Sequence, residues 1–178
     1  TSDQIEAYAI HNDVGIPSSF ESSNEMINSM HDVMVNTLLN NFQGKPTDTP
    51  VWEKNGWTGD ANVSTESMAY NFDMRLFLSK FLNDMEDTQT ETAIGNIAPS
   101  ADWSIENTPV WNGIYFLGTE QLYNQFGMKS FVEEQYDAMR KMALVDIKTI
   151  QNNGWVWFDT QMGDWVSPYG GTDPNAPG

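Results

Sequence analysis

Asp48, Glu53 and Asp60 fall within fourteen residues, Thr47 to Asp60, beside two indoles, Trp52 and Trp57, and two glycines, Gly56 and Gly59. Pro50, Asn55, Gly56 and Gly59 break both helical and strand periodicity, so the stretch is a loop. Acids move protons and hold hydroxyls, and flat rings stack on the apolar face of a pyranose. Glycoside cleavage uses one protonated carboxyl to donate to the leaving oxygen and a second carboxylate opposite it. Glu53 lies between Trp52 and Trp57, and an aromatic wall there would raise its pKa by desolvation and suit it to be the general acid. The plainer alternatives stay open at this point. Glu53 can be an exposed loop acid paired with Lys54, Asp60 a helix N-cap, and Asp48 the side chain that holds a turn.

The tryptophans carry a second signal. Trp52, Trp57, Trp103, Trp111, Trp155, Trp157 and Trp165 all fall on long loops or in the first turn after one, and none is central to a helical stripe. That distribution suits a stacking cleft, or rings that seal loops against the end of a helical scaffold. Gly163-Asp164-Trp165 repeats the Gly59-Asp60 pairing near an indole, a weak motif by itself.

Other chemistries have less support. His11 and His31 are the only histidines and cysteine is absent, which disfavours zinc sites, thiolate chemistry and a histidine-based triad. Gly113 and Gly118 have the glycine spacing of a phosphate loop, but Thr119-Glu120 follows where Lys-Ser or Lys-Thr is required. No dinucleotide fingerprint or calcium-loop spacing occurs, so no cofactor is expected, and a structural Ca²⁺ has no motif behind it. A net charge of −17 argues against nucleic-acid and anionic-membrane partners. The 39% hydrophobic and 12% aromatic content argues against a disordered acidic chain. No apolar run approaches the roughly 20 residues of a membrane span. The acidity and missing cysteine lean toward a secreted or surface-bound bacterial protein and leave the cytoplasm open.

The elements that must position these residues are helical. Residues 1–20 read as a strand-like or irregular lead-in. Ser22-Ser23-Asn24-Glu25 has capping-box form and opens an amphipathic helix over 22–41. Asp60 is placed to cap a helix over 61–70. Asn71 suits a left-handed turn and Asp73 the cap of the next helix, from Met74 to about Asp87. Thr108-Pro109 starts a helix that ends at Gly127, and Ser130 to Glu133 forms a second capping box for a helix reaching Asn153-Gly154. Residues 155–178 read as loop, irregular over 166–178. Short connections alternate with long ones, so the long loops share one end, bringing Asp48–Asp60, Ser100–Trp111 and Trp155–Trp165 to one face. Two helical hairpins and a leading helix do not close a ring. The expected fold is all-α, an arc of a larger (α/α) barrel of about two and a half hairpins within a single partial domain over 1–178. Its inner faces would be covered by the remainder of a parent chain.

Pro46 to Ala61, with Tyr70-Asn71-Phe72-Asp73, Pro109-Val110-Trp111 and Gly163-Asp164-Trp165 in order behind it, resembles the bacterial α-L-rhamnosidases of glycoside hydrolase family 78. The resemblance spans most of residues 15–170. It implies an (α/α)6 barrel and inverting hydrolysis of terminal α-L-rhamnosides. Carried over, Glu53 looks like the general acid and Asp48 and Asp60 like acids that bind rhamnose hydroxyls. Trp57, Trp111 and Trp165 look like the aromatic wall, with Asp164 orienting the last loop. Two departures stand out. Many members carry Asp-Cys-Pro-x-Arg before the acid, where this chain has Asp48-Thr49-Pro50-Val51-Trp52. Trp52 thus replaces a cation whose loss should raise the carboxylate pKa values. The family's general base, a glutamate on a later loop, has no counterpart here and is expected outside the chain. A hydrolase for another sugar and a non-catalytic carbohydrate-binding helical module are the alternatives.

Overall fold

The computed structural model describes residues 5–99, 104–155 and 162. Its helices are α1 (Glu25–Asn40), α2 (Thr58–Asn71), α3 (Arg75–Asp87), α4 (Pro109–Asn112), α5 (Ile114–Phe126) and α6 (Lys129–Asn152). Among the described residues, extended pairing is limited to isolated bridges at Phe42–Pro46, Trp57–Ile97 and Gly95–Ile105. The expected helices are all present, and the one beginning at Pro109 is divided at Gly113 into α4 and α5.

Local chemistry explains the boundaries, with some differences. Asn24, not Ser22, caps α1, its side chain accepting from the Met26 N–H at 2.9 Å. Ser22 is drawn instead to the Asn28 carboxamide, which accepts from both its N–H and its hydroxyl. Helix α2 begins at Thr58, before the expected cap Asp60, which lies in the first turn. Asp73 does accept from the Arg75 N–H at the head of α3, and it also pairs with the Arg75 guanidinium. Thr108 and Pro109 open α4 as expected, and Gly127 ends α5 in the left-handed region at φ 67°. No side-chain cap forms at Ser130, because α6 already starts at Lys129.

The short turn at 127–128 packs α6 against α5, whereas the turn at 72–74 does not lay α3 along α2, and both of these helices lie against α5 instead. Helix α5 packs against α2, α3 and α6 and is the centre of the assembly. Phe72, Phe77, Leu78, Phe81, Leu82 and Met85 meet Ile114, Tyr115 and Leu122 across this contact. A buried polar relay crosses the same core. Tyr115 donates to Gln135 at 2.5 Å, and Gln135 donates to Asn83 and Glu86, each at 2.9 Å. Burial, and then the Glu86 charge, raises the pKa of the Tyr115 hydroxyl and keeps it a neutral donor.

The C-terminal half of α1 joins the core through Leu38, and Phe42 beyond it packs edge-on against Phe72. Along the same helix Met26, Met30 and Val33 stay exposed. The lead-in is irregular and is pinned where the Val14 carbonyl accepts from the Asp73 N–H at 2.9 Å. Among the described residues, no helix is long and apolar enough to cross a membrane.

Asn107 ties the second long loop to α6 by donating to Asp146 at 2.9 Å. Burial pushes the Asp146 carboxyl up to about 6, against the opposing pull of that hydrogen bond. The folded state therefore holds the proton more tightly than the unfolded chain, whose aspartates titrate near 4. The stability tied to this group is fully present below that ordinary value and is lost as pH rises through about 6. Asp146→Asn should raise stability at pH 7.5 by about 1 kcal/mol, a figure reduced for the half-exposed carboxyl. The gain should shrink as pH is lowered toward 5. Denaturant titrations across that range check it, and a pH-independent gain would contradict the assignment.

Candidate active site

The loop between α1 and α2 is closed by its own backbone and side chains. Thr47 donates to the Asn41 carbonyl and carboxamide at the end of α1. Asp48 donates its N–H to the Asn55 carbonyl at 3.0 Å, and its carboxylate accepts the Asn55 N–H at 2.8 Å. Asp48 therefore holds the turn, the plainer of its two expected roles, while remaining half-buried beside the other acids.

Within this closed loop the chain reverses sharply. Glu53 and Lys54 have φ of 42° and 57°, a left-handed region that costs a non-glycine residue of order 1 kcal/mol or more. The Lys54 N–H and the Thr49 hydroxyl both donate to the Trp52 carbonyl, making a γ-turn centred on Glu53. The reversal sends the Glu53 side chain back toward α2, where the Trp57 indole N–H donates to its Oε2 at 2.8 Å. The expected enclosure by two indoles is not formed. Trp52 is 77% exposed and Glu53 itself is exposed. No ion pair joins Glu53 to Lys54 among the described residues.

Trp57 is 9% exposed and packs with Ile97, Trp111 and Met162. Its ring meets Trp111 edge-on, with centroids 5.3 Å apart at 64°. Gly59 makes that contact attainable, since a Cβ there would lie 2.5 Å from Cε3 of Trp111. The glycine before Asp60 is thus the floor on which the second indole rests.

Asp60 projects from the first turn of α2. Its side chain keeps an exposed surface, yet enough protein surrounds the carboxyl that burial raises its pKa. A bond from its own backbone N–H opposes this, and the charges of Asp48 and Glu53 reinforce it. Like charges raise one another's pKa only at short range, so the three acids share one electrostatic neighbourhood.

A buried asparagine pair holds this arrangement. Asn112 donates to the Gly95 carbonyl at 3.1 Å and to Asn96 Oδ1 at 2.8 Å, and it accepts the Thr108 N–H at 2.6 Å. The Asn96 carbonyl accepts both the N–H and the hydroxyl of Thr58, at 2.9 and 3.0 Å. Ala98 donates to the Gly56 carbonyl at 3.0 Å. The first two long loops therefore meet on one face, as the alternating connection lengths imply. The third reaches it at Met162, whose sulfur lies 3.6 Å from Asn96 Nδ2. Asp164, Trp165, Trp103 and Trp157 lie outside the described residues, and Trp155 is exposed.

Asn96, Asn112 and Met162 carry no sign of this role in the sequence. Asn112-Gly113 was visible as a helix-breaking pair inside an apolar pattern, but nothing in it named a partner. Among the described residues, no group of three or more His, Asp or Glu side chains is arranged to hold a metal ion.

The fold is that of a helical-hairpin domain with acids and indoles gathered at one end. Residues 17–177 match the model of the bacterial alpha-L-rhamnosidase six-hairpin glycosidase domain, and the chain belongs to that family. The chain is 29% identical to an alpha-L-rhamnosidase of Formosa agariphila, over 93% of its own length and 18% of the relative's. Among solved structures, the alpha-L-rhamnosidase from Dictyoglumus thermophilum superposes with a TM-score of 0.82 at 33% identity, covering 92% of this chain and 18% of that one. The Streptomyces avermitilis alpha-L-rhamnosidase complexed with L-rhamnose gives 0.77 at 25% identity, covering 92% and 16%. The chain thus spans about a fifth of its relatives' length, and its fold is an arc of the six-hairpin barrel.

Asn112→Ala should cost about 3 kcal/mol, because it leaves a buried N–H and two buried acceptors without partners. Denaturant unfolding measures the loss. Near-UV circular dichroism should show weakened Trp57–Trp111 coupling in native buffer. A variant as stable as the wild type would contradict the clamp.

Proposed function

We propose that this chain supplies the acid side of an α-L-rhamnosidase active site, hydrolysing terminal α-L-rhamnosides with inversion. The observation that carries it is the 2.8 Å bond from the Trp57 indole to Glu53 Oε2. With Oε2 engaged by a donor, the other carboxyl oxygen is the one left to carry the proton. Glu53 is then oriented to protonate the glycosidic oxygen as the bond to the anomeric carbon breaks. Asp48 and Asp60 accept hydroxyls of the bound sugar, and Trp57 and Trp111 pack against its apolar face. The proposal assigns Trp165 to the same wall and Asp164 to orienting it.

Inversion requires a second carboxylate roughly 6.5–9.5 Å from the acid, with a water between them. That base is assigned to a part of the parent enzyme outside these residues. Family membership and the likeness to a rhamnosidase solved with L-rhamnose support the choice of sugar.

In the full-length parent, Glu53→Gln should lower kcat by about 10²–10⁴ on substrates with a sugar leaving group. The loss should be much smaller on an activated aryl rhamnoside, whose leaving group departs without a proton. The isolated 178-residue chain should turn over neither substrate. An unchanged rate in Glu53→Gln would sink the assignment of the acid. Turnover of another aryl glycoside in place of rhamnoside would move the same acid to a different sugar. Binding without turnover in the parent would favour a carbohydrate-binding module.

A further inference from the structure

The tip of the catalytic loop carries an indole that the fold does not use. Trp52 is 77% exposed and its neighbour Val51 is 67% exposed. The Trp52 side chain has no hydrogen-bond or ring partner among the described residues. The loop that presents it is nevertheless firmly closed by the paired bonds between Asp48 and Asn55 and by two donors on the Trp52 carbonyl. A large indole held exposed on a self-closed loop is free to stack on a bound ligand.

Its position relative to Glu53 says which partner. Trp52 and Glu53 are consecutive, so their Cα atoms are about 3.8 Å apart. The positive φ at Glu53 turns its carboxylate back onto Trp57, on the side where Trp111, Asp48 and Asp60 gather. That side holds the sugar whose anomeric carbon reacts. A general acid must touch the oxygen joining this sugar to the leaving group. The leaving group therefore extends past the acid, away from the acidic pocket, and the exposed ring of Trp52 is the acid's immediate chain neighbour.

We infer that Trp52 is a specificity-determining residue that stacks on the leaving group and forms the aglycone side of the site. The ligand chemistry is a flat apolar face, supplied either by a second pyranose or by an aromatic aglycone. An indole offers about the right area for either and is held at little entropic cost. Val51 widens the platform. The inference rests on the reading of Glu53 as the general acid.

The test compares Trp52→Ala and Trp52→Phe in the full-length parent on three rhamnosides. One carries glucose as leaving group, one a naphthyl ring and one only methyl. Thermal melts confirm that the exposed substitution leaves folding intact. Trp52→Ala should raise KM about tenfold on a ringed leaving group, with kcat within about twofold, and leave the methyl glycoside unchanged. Trp52→Phe should restore most of the loss. A loss confined to the glucose substrate identifies a sugar platform, and one confined to the naphthyl substrate an aromatic one. An unchanged KM throughout, or an equal loss on the methyl glycoside, overturns the inference while leaving Glu53 in place. If the wild-type parent cleaves only another sugar, the same contrast is read on glycosides of that sugar. A parent that cleaves no glycoside overturns the hydrolase reading and the role of Trp52 with it.

Discussion

The carboxamide of Asn112 is the constraint on which the site depends. Two long loops meet on one face of the helices, and their contact buries backbone groups that no helix or sheet ladder can satisfy. Buried N–H and C=O groups left without partners would each cost about 1–3 kcal/mol. Asn112 satisfies Thr108 and Gly95 directly and, by gripping Asn96, fixes the carbonyl that receives Thr58. Trp111 and Trp57 are the chain neighbours of Asn112 and Thr58. The geometry of the aromatic wall thus follows from an amide network behind it. Low local dielectric makes such a network strong when complete and costly when broken.

Trp57 in turn positions Glu53. Trp57 is held by packing against Ile97, Trp111 and Met162, so its indole N–H is a fixed donor rather than a wandering one. Glu53 sits on a strained, self-closed turn aimed at that donor. Backbone strain at such a position persists only where surrounding bonds over-determine it, and the Asp48–Asn55 closure supplies them. Asp60 then titrates upward in a neighbourhood of burial and like charge. Crowded carboxylates are unfavourable for folding, and the closed loop holds them together regardless.

Beneath the site the scaffold is a helical arc centred on α5, with apolar packing toward α2 and α3 and the Tyr115–Gln135 relay crossing to α6. Met26, Met30 and Val33 leave an exposed apolar stripe on α1.

Sequence alone determined the helices, the loop character of Thr47–Trp57 and the gathering of the long loops at one end. These follow from local periodicity, from Pro and Gly, and from connection lengths, all of which act over short stretches of chain. Helix starts slipped by a few residues where a side chain found another local partner, as Ser22 did in Asn28, or where the helix began before its expected cap, as at Thr58. The family, too, was legible, because the spacing of Asp48, Glu53, Trp57 and Asp60 lies within one short stretch of chain. Only tertiary structure decided that Trp52 stays in solvent while Trp57 is buried, since the two indoles look alike in the sequence and differ in whether Ile97, Trp111 and Met162 are brought against them. It alone decided that Asn96 and Asn112, sixteen residues apart, would be partners. Hydrogen bonds between distant loops leave no periodic trace in a chain, because they depend on how the helices bring those loops together.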